Sequence, residues 1–356
     1  MEFNNIFDNE NNFAKYKSIE SNRIISNNLL DKPFLSIMIP TFKRFDLLKF
    51  ALQSLIEQDT RYPFEIVVID NDDSGNQNIK NLITEFNDNR ISYYRNEKNI
   101  GMFGNWNRCI ELANAEWLVI LNDDDMLNHK YIEYMCNTIE HLCDADALSC
   151  GLEYINENGN KISRTFLRRI SHKLNHFFSS NKISRVRLND LFYDYITPIH
   201  GCMIRKISAI RLGGFNEKYY PISDAVFMLR LADKFNLYCV GKKLYKYRVF
   251  ENESLKHETL KGFVVGKAYM RNEILLRLRL NNNYFYKVIK NFLLDYDILN
   301  YDSIKIADKT PLSYAEVKEI KLKFSDSVRV SSFFAYLSKI LVYFNKYLFW
   351  IKAKKR

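Results

Sequence analysis

The sequence predicts an α/β fold in which a sheet is flanked by helices and followed by a helical C-terminal region. Three observations predict it: four short apolar runs recur between residues 34 and 121, amphipathic helical patterns separate these runs, and beyond about Lys261 the chain is helical in pattern and basic. Strands that alternate with helices at this spacing build a parallel sheet with helices on both faces. The first part of the chain is therefore expected to form such a sheet.

The elements of this sheet follow from the hydrophobic pattern. The predicted strands are Phe34–Ile39, Phe64–Ile69, Ile91–Tyr94 and Trp117–Leu121. Because apolar residues recur at helical spacing between them, the predicted helices are Arg44–Gln58, a segment around Ile79–Phe86, and Asn105–Ala113. The leading residues 1–33, rich in Asn, Asp and Glu, are predicted to form a mobile or peripheral arm.

Composition and charge narrow the class of protein. The chain has 356 residues, of which 47% are hydrophobic, and its net charge is +10. A basic surface can attract nucleic acid, anionic lipid or phosphorylated substrates, or have no specific partner. Because the basic residues are dispersed and no recognition module is present, no nucleic-acid partner is expected. The six cysteines include no C-x-x-C pair, which favours free thiols in a reducing cytoplasm over a zinc site.

Polar residues follow three of the predicted strands at the point where each strand ends. They are Pro40-Thr41, Asp70-Asn71-Asp72 and Asn122-Asp123-Asp124-Asp125. The carboxyl ends of parallel strands meet at one edge of a sheet, and ligands of such folds bind there. These groups are therefore expected to converge on a site.

The acidic triplet Asp123-Asp124-Asp125 concentrates negative charge after a buried strand. Adjacent carboxylates are costly to bring together unless a cation or solvent compensates them. Their hard oxygen atoms suit Mg²⁺ or Mn²⁺, which would stabilise charge on a leaving diphosphate. The alternative is a solvated turn in which an Asp caps a helix that starts near Asn128.

Residues 34–126 resemble the inverting glycosyltransferase family 2, whose GT-A fold is a Rossmann-like mixed sheet flanked by helices. Four motifs carry the resemblance in the family's order and spacing: S-I-M-I-P-T-F-K-R at residues 36–44, V-V-I-D-N-D at 67–72, N-I-G at 99–101 with Asn107 and Ala113, and L-N-D-D-D at 121–125. The resemblance implies a GT-A domain over residues 34–258, with a nucleotide-binding half (34–126) and an acceptor half (127–258). A helical region, 259–356, would follow.

The resemblance also implies which residues hold the donor nucleotide: Pro40, Thr41, Arg44, Asp70, Asn71, Asp72, Gly101, Asn107, Asp123 and Asp124. The triplet matches the family's D-x-D element, which binds ribose and a divalent metal. Asp125 is favoured as the metal ligand, with Asp123 and Asp124 assisting. The family often has Asp where this chain has Asn122, so the register within the element is open. Pro40 could instead only end its strand, and Arg44 could be a surface residue at a helix N-terminus.

The acceptor half resembles the family more loosely, through T-P-I-H-G-C-M-I-R at residues 197–205, G-G-F-N-E at 213–217 and S-D-A-V-F-M-L-R at 223–230. Asp224 occupies the family's general-base position, where a carboxylate would remove the proton of the attacking hydroxyl. Asp224 could also cap the helix predicted over Ala225–Ala232, alone or together with the base role. His257 could be a third metal ligand, a phosphate contact or a surface histidine, whereas His200 is expected to be structural.

Residues 331–356 are predicted to form an amphipathic helix with a narrow polar stripe and a basic end. Aromatic residues together with lysines are typical of a helix in the interface of an anionic membrane. Packing on the core or on a second subunit through a heptad seam is the alternative. No signal-like N-terminal region and no long uncharged apolar stretch occur. A cytoplasmic protein, peripheral on the inner face of the cytoplasmic membrane, is therefore predicted.

The activity that the resemblance implies is inverting transfer of a sugar from a nucleoside-diphosphate sugar, favoured as UDP-linked, with Mn²⁺ or Mg²⁺ as cofactor. The predicted acceptor is a lipid-linked glycan of bacterial surface polysaccharide synthesis, O-antigen or capsule. A sugar-nucleotide nucleotidyltransferase is disfavoured because the loop P-T-F-K-R at residues 40–44 has no glycine. A non-catalytic glycan- or nucleotide-binding protein is disfavoured by the intact carboxylates of Asp125 and Asp224.

Overall fold

The computed structural model describes residues 5–26, 32–162, 183–193, 199–249, 257–303 and 311–327. Within them, ten strands form one mixed sheet, which confirms the predicted α/β class. The strands are β1 (Ser21–Ile25), β2 (Leu35–Thr41), β3 (Phe64–Asp70), β4 (Ile91–Asn96), β5 (Trp117–Ile120), β6 (Met126–Leu127), β7 (Ala147–Ile155), β8 (Ile183–Arg185), β9 (Met203–Arg205) and β10 (Leu237–Arg248).

The sheet combines a parallel group of strands with antiparallel ones. Its strand order is β1-β4-β3-β2-β5-β9-β7-β10-β6, and β8 pairs with β10 outside this path. Strands β4, β3, β2 and β5 are parallel to their neighbours within this group. By contrast, β9 runs antiparallel to both β5 and β7. The carboxyl ends of β2, β3 and β5 therefore share one edge, as the strand-end motifs predict.

Helices cover both faces of the sheet. They are α1 (Phe45–Ile56), α2 (Asn78–Phe86), α3 (Gly101–Leu112), α4 (Tyr131–Glu140), α5 (Leu188–Phe192), α6 (Lys206–Arg211), α7 (Ser223–Lys234), α8 (His257–Arg277), α9 (Tyr284–Ser303) and α10 (Tyr314–Phe324). Along β2, Ile37 and Ile39 join an apolar cluster with Leu48 of α1, whereas Met38 joins a second cluster with Trp106 of α3. This alternation follows the pleat of the strand. Because both faces are covered, β2 is buried along its whole length.

Residues 5–26 pack against the domain, where the sequence predicted a mobile or peripheral arm. Their strand β1 adds to the sheet antiparallel to β4, with Ser21 opposite Asn96. Ile6 is fully buried. The strand S-N-R-I-I has no regular alternation of apolar and polar residues. Backbone hydrogen bonds hold such an edge strand, and they leave no pattern in its side chains.

In the described part of the chain, three helices follow the sheet, in agreement with the predicted helical C-terminal region. α8, α9 and α10 enclose a separate apolar cluster that includes Leu260, Ile298 and Phe324. Arg271 Nη1 and Asp297 Oδ2, both buried, lie 2.7 Å apart and join α8 to α9. No helix in this part of the chain is long and apolar enough to cross a bilayer. The predicted helix at residues 331–356 lies outside the described residues.

Candidate active site

A cavity of about 950 Å³ opens where β2, β3 and β5 end. Cavities of this size accommodate small-molecule ligands. The strand-end residues in its wall are Pro40, Thr41, Asn71, Asn122, Asp123 and Asp124. Three strand ends thus converge on one site. Arg44, α3 and the segments around residues 12–16, 215–224 and 259–263 also contribute to the wall.

Asp123 and Asp124 are fixed in this wall by residues that follow β2. The register that pairs Met38 with Ile120 brings Thr41 opposite Asp123 three residues later. The Thr41 hydroxyl donates to Asp123 Oδ2 at 2.8 Å. Arg44 Nη1 lies 3.0 Å from Asp124 Oδ2 and 3.8 Å from Asp123 Oδ1. One guanidinium therefore faces two carboxylates, which leaves negative charge at the cavity wall.

The charge of this pair is poorly compensated. Burial, with the charge of Asp124 beside it, raises the pKa of Asp123 to about 7. Burial also raises the pKa of Asp124, against the lowering effect of Arg44. A raised carboxyl pKa means that the partners of the ionised form do not offset the cost of its burial. A cation bound at the cavity wall would supply them.

Asp125, favoured from the sequence as the metal ligand, points away from the cavity. Its carboxylate accepts hydrogen bonds from the Tyr245 hydroxyl and from the backbone N–H of Arg248, each at 2.7 Å. Only 1% of the residue is exposed, and it is absent from the cavity wall. The backbone N–H of Asp125 bonds the carbonyl of Asn122 at 3.1 Å, which closes a tight turn. Consecutive residues of a turn diverge, so the carboxylates available to a metal are those of Asp123 and Asp124.

A similar division separates Asp70 and Asp72 from Asn71. Asp70 Oδ2 accepts from the Tyr93 hydroxyl at 2.8 Å, and Asp70 Oδ1 accepts from the backbone N–H of Asp72 at 2.9 Å. Asp72 Oδ1 accepts from the backbone N–H of Ser74 at 3.1 Å. Both aspartates are buried and absent from the wall, whereas Asn71 lines the cavity. Of these three residues, only Asn71 is placed to make the predicted contact with the nucleotide base. Asp70 and Asp72 instead stabilise the turn at the end of β3.

Gly101 and Asn107, at the start and in the middle of α3, both line the cavity. The φ of Gly101 is +74°, a backbone conformation that favours glycine where the chain turns into the helix. The amide of Asn107 bonds the backbone of Phe215, donating to its carbonyl at 2.8 Å and accepting from its N–H at 2.7 Å. Asn107 thus holds the 213–217 turn against α3.

Asp224 lines the same cavity from the first turn of α7. Burial raises the pKa of its carboxyl to about 6, although backbone N–H groups at the start of the helix lower it. Tyr220, Thr259 and Phe263 stand in the wall with it. The structure gives the N-cap position to Ile222. Asp224 is therefore a carboxylate that is mostly ionised at pH 7 and accessible from the cavity.

The N-terminal segment contributes wall residues that the sequence did not predict: Asn12, Lys15 and Tyr16. The Tyr16 hydroxyl donates to Glu217 Oε2 at 2.9 Å, and the backbone N–H of Asn12 donates to the Gly213 carbonyl at 2.9 Å. A Cβ on Gly213 would lie 2.0 Å from the Glu10 carbonyl oxygen. The G-G-F-N-E motif could have indicated this docking, because a glycine has no side chain and lets the backbone of the N-terminal segment approach closely.

Residues 36–212 match the model of the family Glycosyl transferase family 2. The chain belongs to glycosyltransferase family 2. The match covers the strand ends that converge on the cavity, from Pro40 to Asp124, and ends before Asp224. The predicted family is therefore confirmed, and the protein is a glycosyltransferase.

Relatives and a solved structure agree with this assignment. The glycosyltransferase is 25% identical over 267 residues to uncharacterized glycosyltransferase MJ1057 of Methanocaldococcus jannaschii, covering 73% of this chain and 86% of the relative. It is 26% identical over 229 residues to GalNAc(5)-diNAcBac-PP-undecaprenol beta-1,3-glucosyltransferase of Campylobacter jejuni, covering 63% and 67%. S. aureus TarS 1-349 in complex with UDP-GlcNAc has the same fold, with a TM-score of 0.52, 15% identity and coverage of 90% of this chain and 92% of that one.

The donor atoms of this glycosyltransferase fit a divalent cation that completes its coordination from the substrate. Among the described residues, no group of three or more His, Cys, Asp or Glu side chains could hold a metal by itself. Mg²⁺ often uses one or two carboxylates and takes its other ligands from phosphate and water. Asp123 and Asp124 meet that requirement. His257, a predicted third ligand, is absent from the cavity wall, and its Nδ1 bonds the Tyr301 hydroxyl of α9.

Proposed function

We propose that this glycosyltransferase moves a sugar from a UDP-sugar to a hydroxyl of a lipid-linked glycan, with inversion at the anomeric carbon. The observation that carries the proposal is that one cavity exposes both the Asp123–Asp124 pair and the separate carboxylate of Asp224. The Asp123–Asp124 pair would bind the cation that accompanies the diphosphate. The single carboxylate of Asp224 would act as the general base that removes the proton of the incoming hydroxyl.

The proposed reaction breaks one bond and forms one. The acceptor oxygen attacks the anomeric carbon, its proton passes to the Asp224 carboxylate, and the bond between the anomeric carbon and the diphosphate oxygen breaks. Its electron pair leaves with UDP. Attack opposite the leaving group inverts the anomeric centre. With a pKa of about 6, Asp224 is ionised in most molecules at pH 7, yet it is basic enough to take the proton.

Other residues of the chain prepare this step. Asp123 and Asp124 would hold Mn²⁺ or Mg²⁺, which supplies charge stabilisation for the leaving diphosphate. Thr41 and Arg44 orient the two carboxylates. Asn71 and Gly101 line the part of the cavity wall that follows β3 and begins α3, where the nucleoside is proposed to bind. The wall residues Asn12, Lys15 and Tyr16 are proposed to face the acceptor, because they bond the turn that precedes Asp224.

A lipid-linked acceptor and a peripheral position at the cytoplasmic face of the membrane belong to the same proposal. The name of the Campylobacter jejuni relative gives that protein an undecaprenol-diphosphate-linked glycan as substrate. The net charge of +10 and the aromatic, lysine-rich residues 331–356 support attraction to anionic lipid. A variant that ends at residue 330 should bind anionic liposomes more weakly than the full chain. Equal binding would contradict the membrane role.

The decisive experiment measures release of nucleoside diphosphate from a panel of UDP-, GDP- and dTDP-sugars with Mn²⁺, with Mg²⁺ and with EDTA. An undecaprenyl-diphosphate-linked acceptor is added in a parallel series. The expected result is metal-dependent UDP release that the acceptor accelerates in the wild type and not in Asp224→Asn. Binding of a UDP-sugar without turnover under any condition would support a non-catalytic binding protein. Formation of a nucleotide sugar from a sugar phosphate would support a nucleotidyltransferase.

A further inference from the structure

Helix α8 packs closely against the turn that leads to Asp224. A Cβ on Gly262 would lie 2.6 Å from Pro221 Cδ. One turn later, a Cβ on Gly266 would lie 2.5 Å from Ile222 Cγ2. The two glycines therefore let the backbone of α8 approach the residues that begin α7. Because Ile222 precedes Asp224 by only two residues, α8 helps to determine which side chains surround that carboxylate.

The same part of α8 contributes two side chains to the cavity wall. Thr259 and Phe263, one helical turn apart, line the cavity together with Tyr220 and Asp224. The hydroxyl oxygen atoms of Tyr220 and Thr259 lie 3.0 Å apart, and this hydrogen bond holds the Tyr220 ring at the wall. Tyr220 is 39% exposed. Phe263 is half-buried, since it also packs against two apolar clusters. The wall near Asp224 therefore contains two aromatic rings.

Two aromatic rings near a general base suit a sugar ring. The base must lie within hydrogen-bond reach of the attacking hydroxyl, so the group that carries this hydroxyl must lie next to Asp224. A pyranose has polar hydroxyls at its edge and an apolar face of C–H groups. Aromatic side chains offer a large apolar surface to such a face. Tyr220 and Phe263 would cover one face of the ring, and its hydroxyl would point to Asp224.

The charges of this part of the wall favour an uncharged ring. Lys15 and Lys218 both line the cavity. Lys15 pairs with Glu217. Lys218 pairs with Glu10. A carboxylate or phosphate on the ring would have to compete with these glutamates for the lysines, and the carboxylate of Asp224 would repel it. An uncharged ring meets neither obstacle.

We propose that Tyr220 and Phe263 bind the uncharged pyranose ring that carries the attacking hydroxyl, and that α8 selects this acceptor sugar. The inference rests on the proposed function for the identity of the reaction. Both side chains lie beyond residue 212, where the match to the family model ends. The motifs within that match therefore leave the acceptor sugar open, and the wall near Asp224 determines it.

Binding of simple glycosides tests the ring site. The methyl β-glycosides of glucose, galactose, N-acetylglucosamine, N-acetylgalactosamine and glucuronic acid are titrated into the full chain with saturating UDP and Mn²⁺, followed by saturation-transfer difference NMR. At least one uncharged glycoside should bind, with the strongest transfer to the C–H protons of one face of its ring. Tyr220→Ala and Phe263→Ala should each weaken this binding about 2- to 10-fold, because an aromatic contact is lost. The glucuronide should bind more weakly than the glucoside.

Further variants separate ring contact from a general loss of structure. Tyr220→Phe keeps the ring and should retain more affinity for the glycoside than Tyr220→Ala. Phe285→Ala removes an exposed ring of α9 that is absent from the cavity wall, so it should bind like wild type. Gly262→Ala keeps every wall side chain but places a Cβ against Pro221, so it should weaken glycoside binding. In Phe263→Ala, the affinity for UDP, measured by calorimetry, should change less than about twofold, because the contact that is lost does not involve the nucleotide.

Different outcomes contradict the ring site and the proposed function. The ring site would be overturned if no glycoside binds, if Phe263→Ala and Tyr220→Ala bind like wild type, or if the glucuronide binds best. Absence of UDP release from every UDP-sugar would contradict the proposed function, whereas the glycoside titration would still decide whether Tyr220 and Phe263 bind a sugar ring. Thermal melting identifies any variant that has not folded. In that case, selective irradiation of the aromatic protons of wild type decides: transfer to the glycoside supports the ring site, and no transfer overturns it.

Discussion

Replacement of Asp123 by Asn should stabilise the metal-free protein at high pH. Burial raises the pKa of Asp123 from 3.8 to about 7. A folded-state pKa about 3 above the unfolded value costs at most about 4 kcal/mol of folding free energy once the group ionises. The substituted amide would keep an acceptor for the Thr41 hydroxyl and remove the charge. The Asp123→Asn variant should therefore gain up to about 4 kcal/mol over wild type above pH 7.

The stability difference between Asp123→Asn and wild type should depend on pH. A raised carboxyl pKa means that the folded state binds its proton more tightly than the unfolded chain. The cost is therefore absent below about pH 4, grows between pH 4 and 7, and is complete above pH 7. Urea unfolding in EDTA, followed by tryptophan fluorescence at pH 4, 6 and 8, should show a difference between variant and wild type that increases with pH.

For a matched control, we expect the opposite change in folding stability. Arg90 lowers the pKa of Asp88 through a direct hydrogen bond, so Asp88→Asn should destabilise the protein at pH 8. Addition of Mn²⁺ at pH 8 should stabilise wild type more than Asp123→Asn, because the cation compensates the charge that the variant lacks. Equal stability of Asp123→Asn and wild type at all three pH values, or a less stable variant at pH 8, would refute the reasoning.

Two further predictions concern the base and the N-terminal segment. Asp224→Asn should lower kcat about 10²- to 10⁴-fold with unchanged UDP affinity. At saturating donor and metal, the wild-type rate should fall as pH decreases through about 6, because Asp224 becomes protonated. A pH-independent rate would exclude Asp224 as the general base. Gly213→Ala should expose residues 5–16 to faster hydrogen exchange, because its Cβ would overlap the Glu10 carbonyl oxygen. Gly75→Ala is the control, since Gly75 has a similar positive φ and open space around it; equal exchange in both variants would contradict the docking role of Gly213.

The strands within residues 34–126 were predictable because burial on both faces leaves uninterrupted apolar runs. The predicted strand Phe64–Ile69 differs from the observed β3 by one residue at its end. The polar residues after each run then identified the edge of the sheet that forms the cavity. The short β1 had no such signal, because an edge strand needs backbone partners more than side-chain burial.

The sequence could place the acidic triplet at the site, yet it could not assign the three side chains. Their directions depend on the turn between β5 and β6 and on donors from β10, about 120 residues later. Tyr245 and Arg248 donate hydrogen bonds to the Asp125 carboxylate, so only Asp123 and Asp124 of the triplet line the cavity. Similarly, only the long-range packing of α8 against α9 shows that His257 bonds Tyr301 and not a ligand at the cavity.

The contacts of Arg248 join the acidic turn after β5 to β10 and to the residues that follow β7, so we expect these segments to fold together. This buried residue donates from its backbone to Asp125 and from Nε to the Asp124 carbonyl at 2.7 Å, while Nη1 reaches the Asn156 carbonyl at 3.1 Å. A fragment that stops at residue 126 would therefore lack the donors that shape its acidic turn. Residues 34–126 expressed alone should not form a metal-binding site, and mixing them with the remaining chain should restore it only if Tyr245 and Arg248 of β10 can reach the acidic turn.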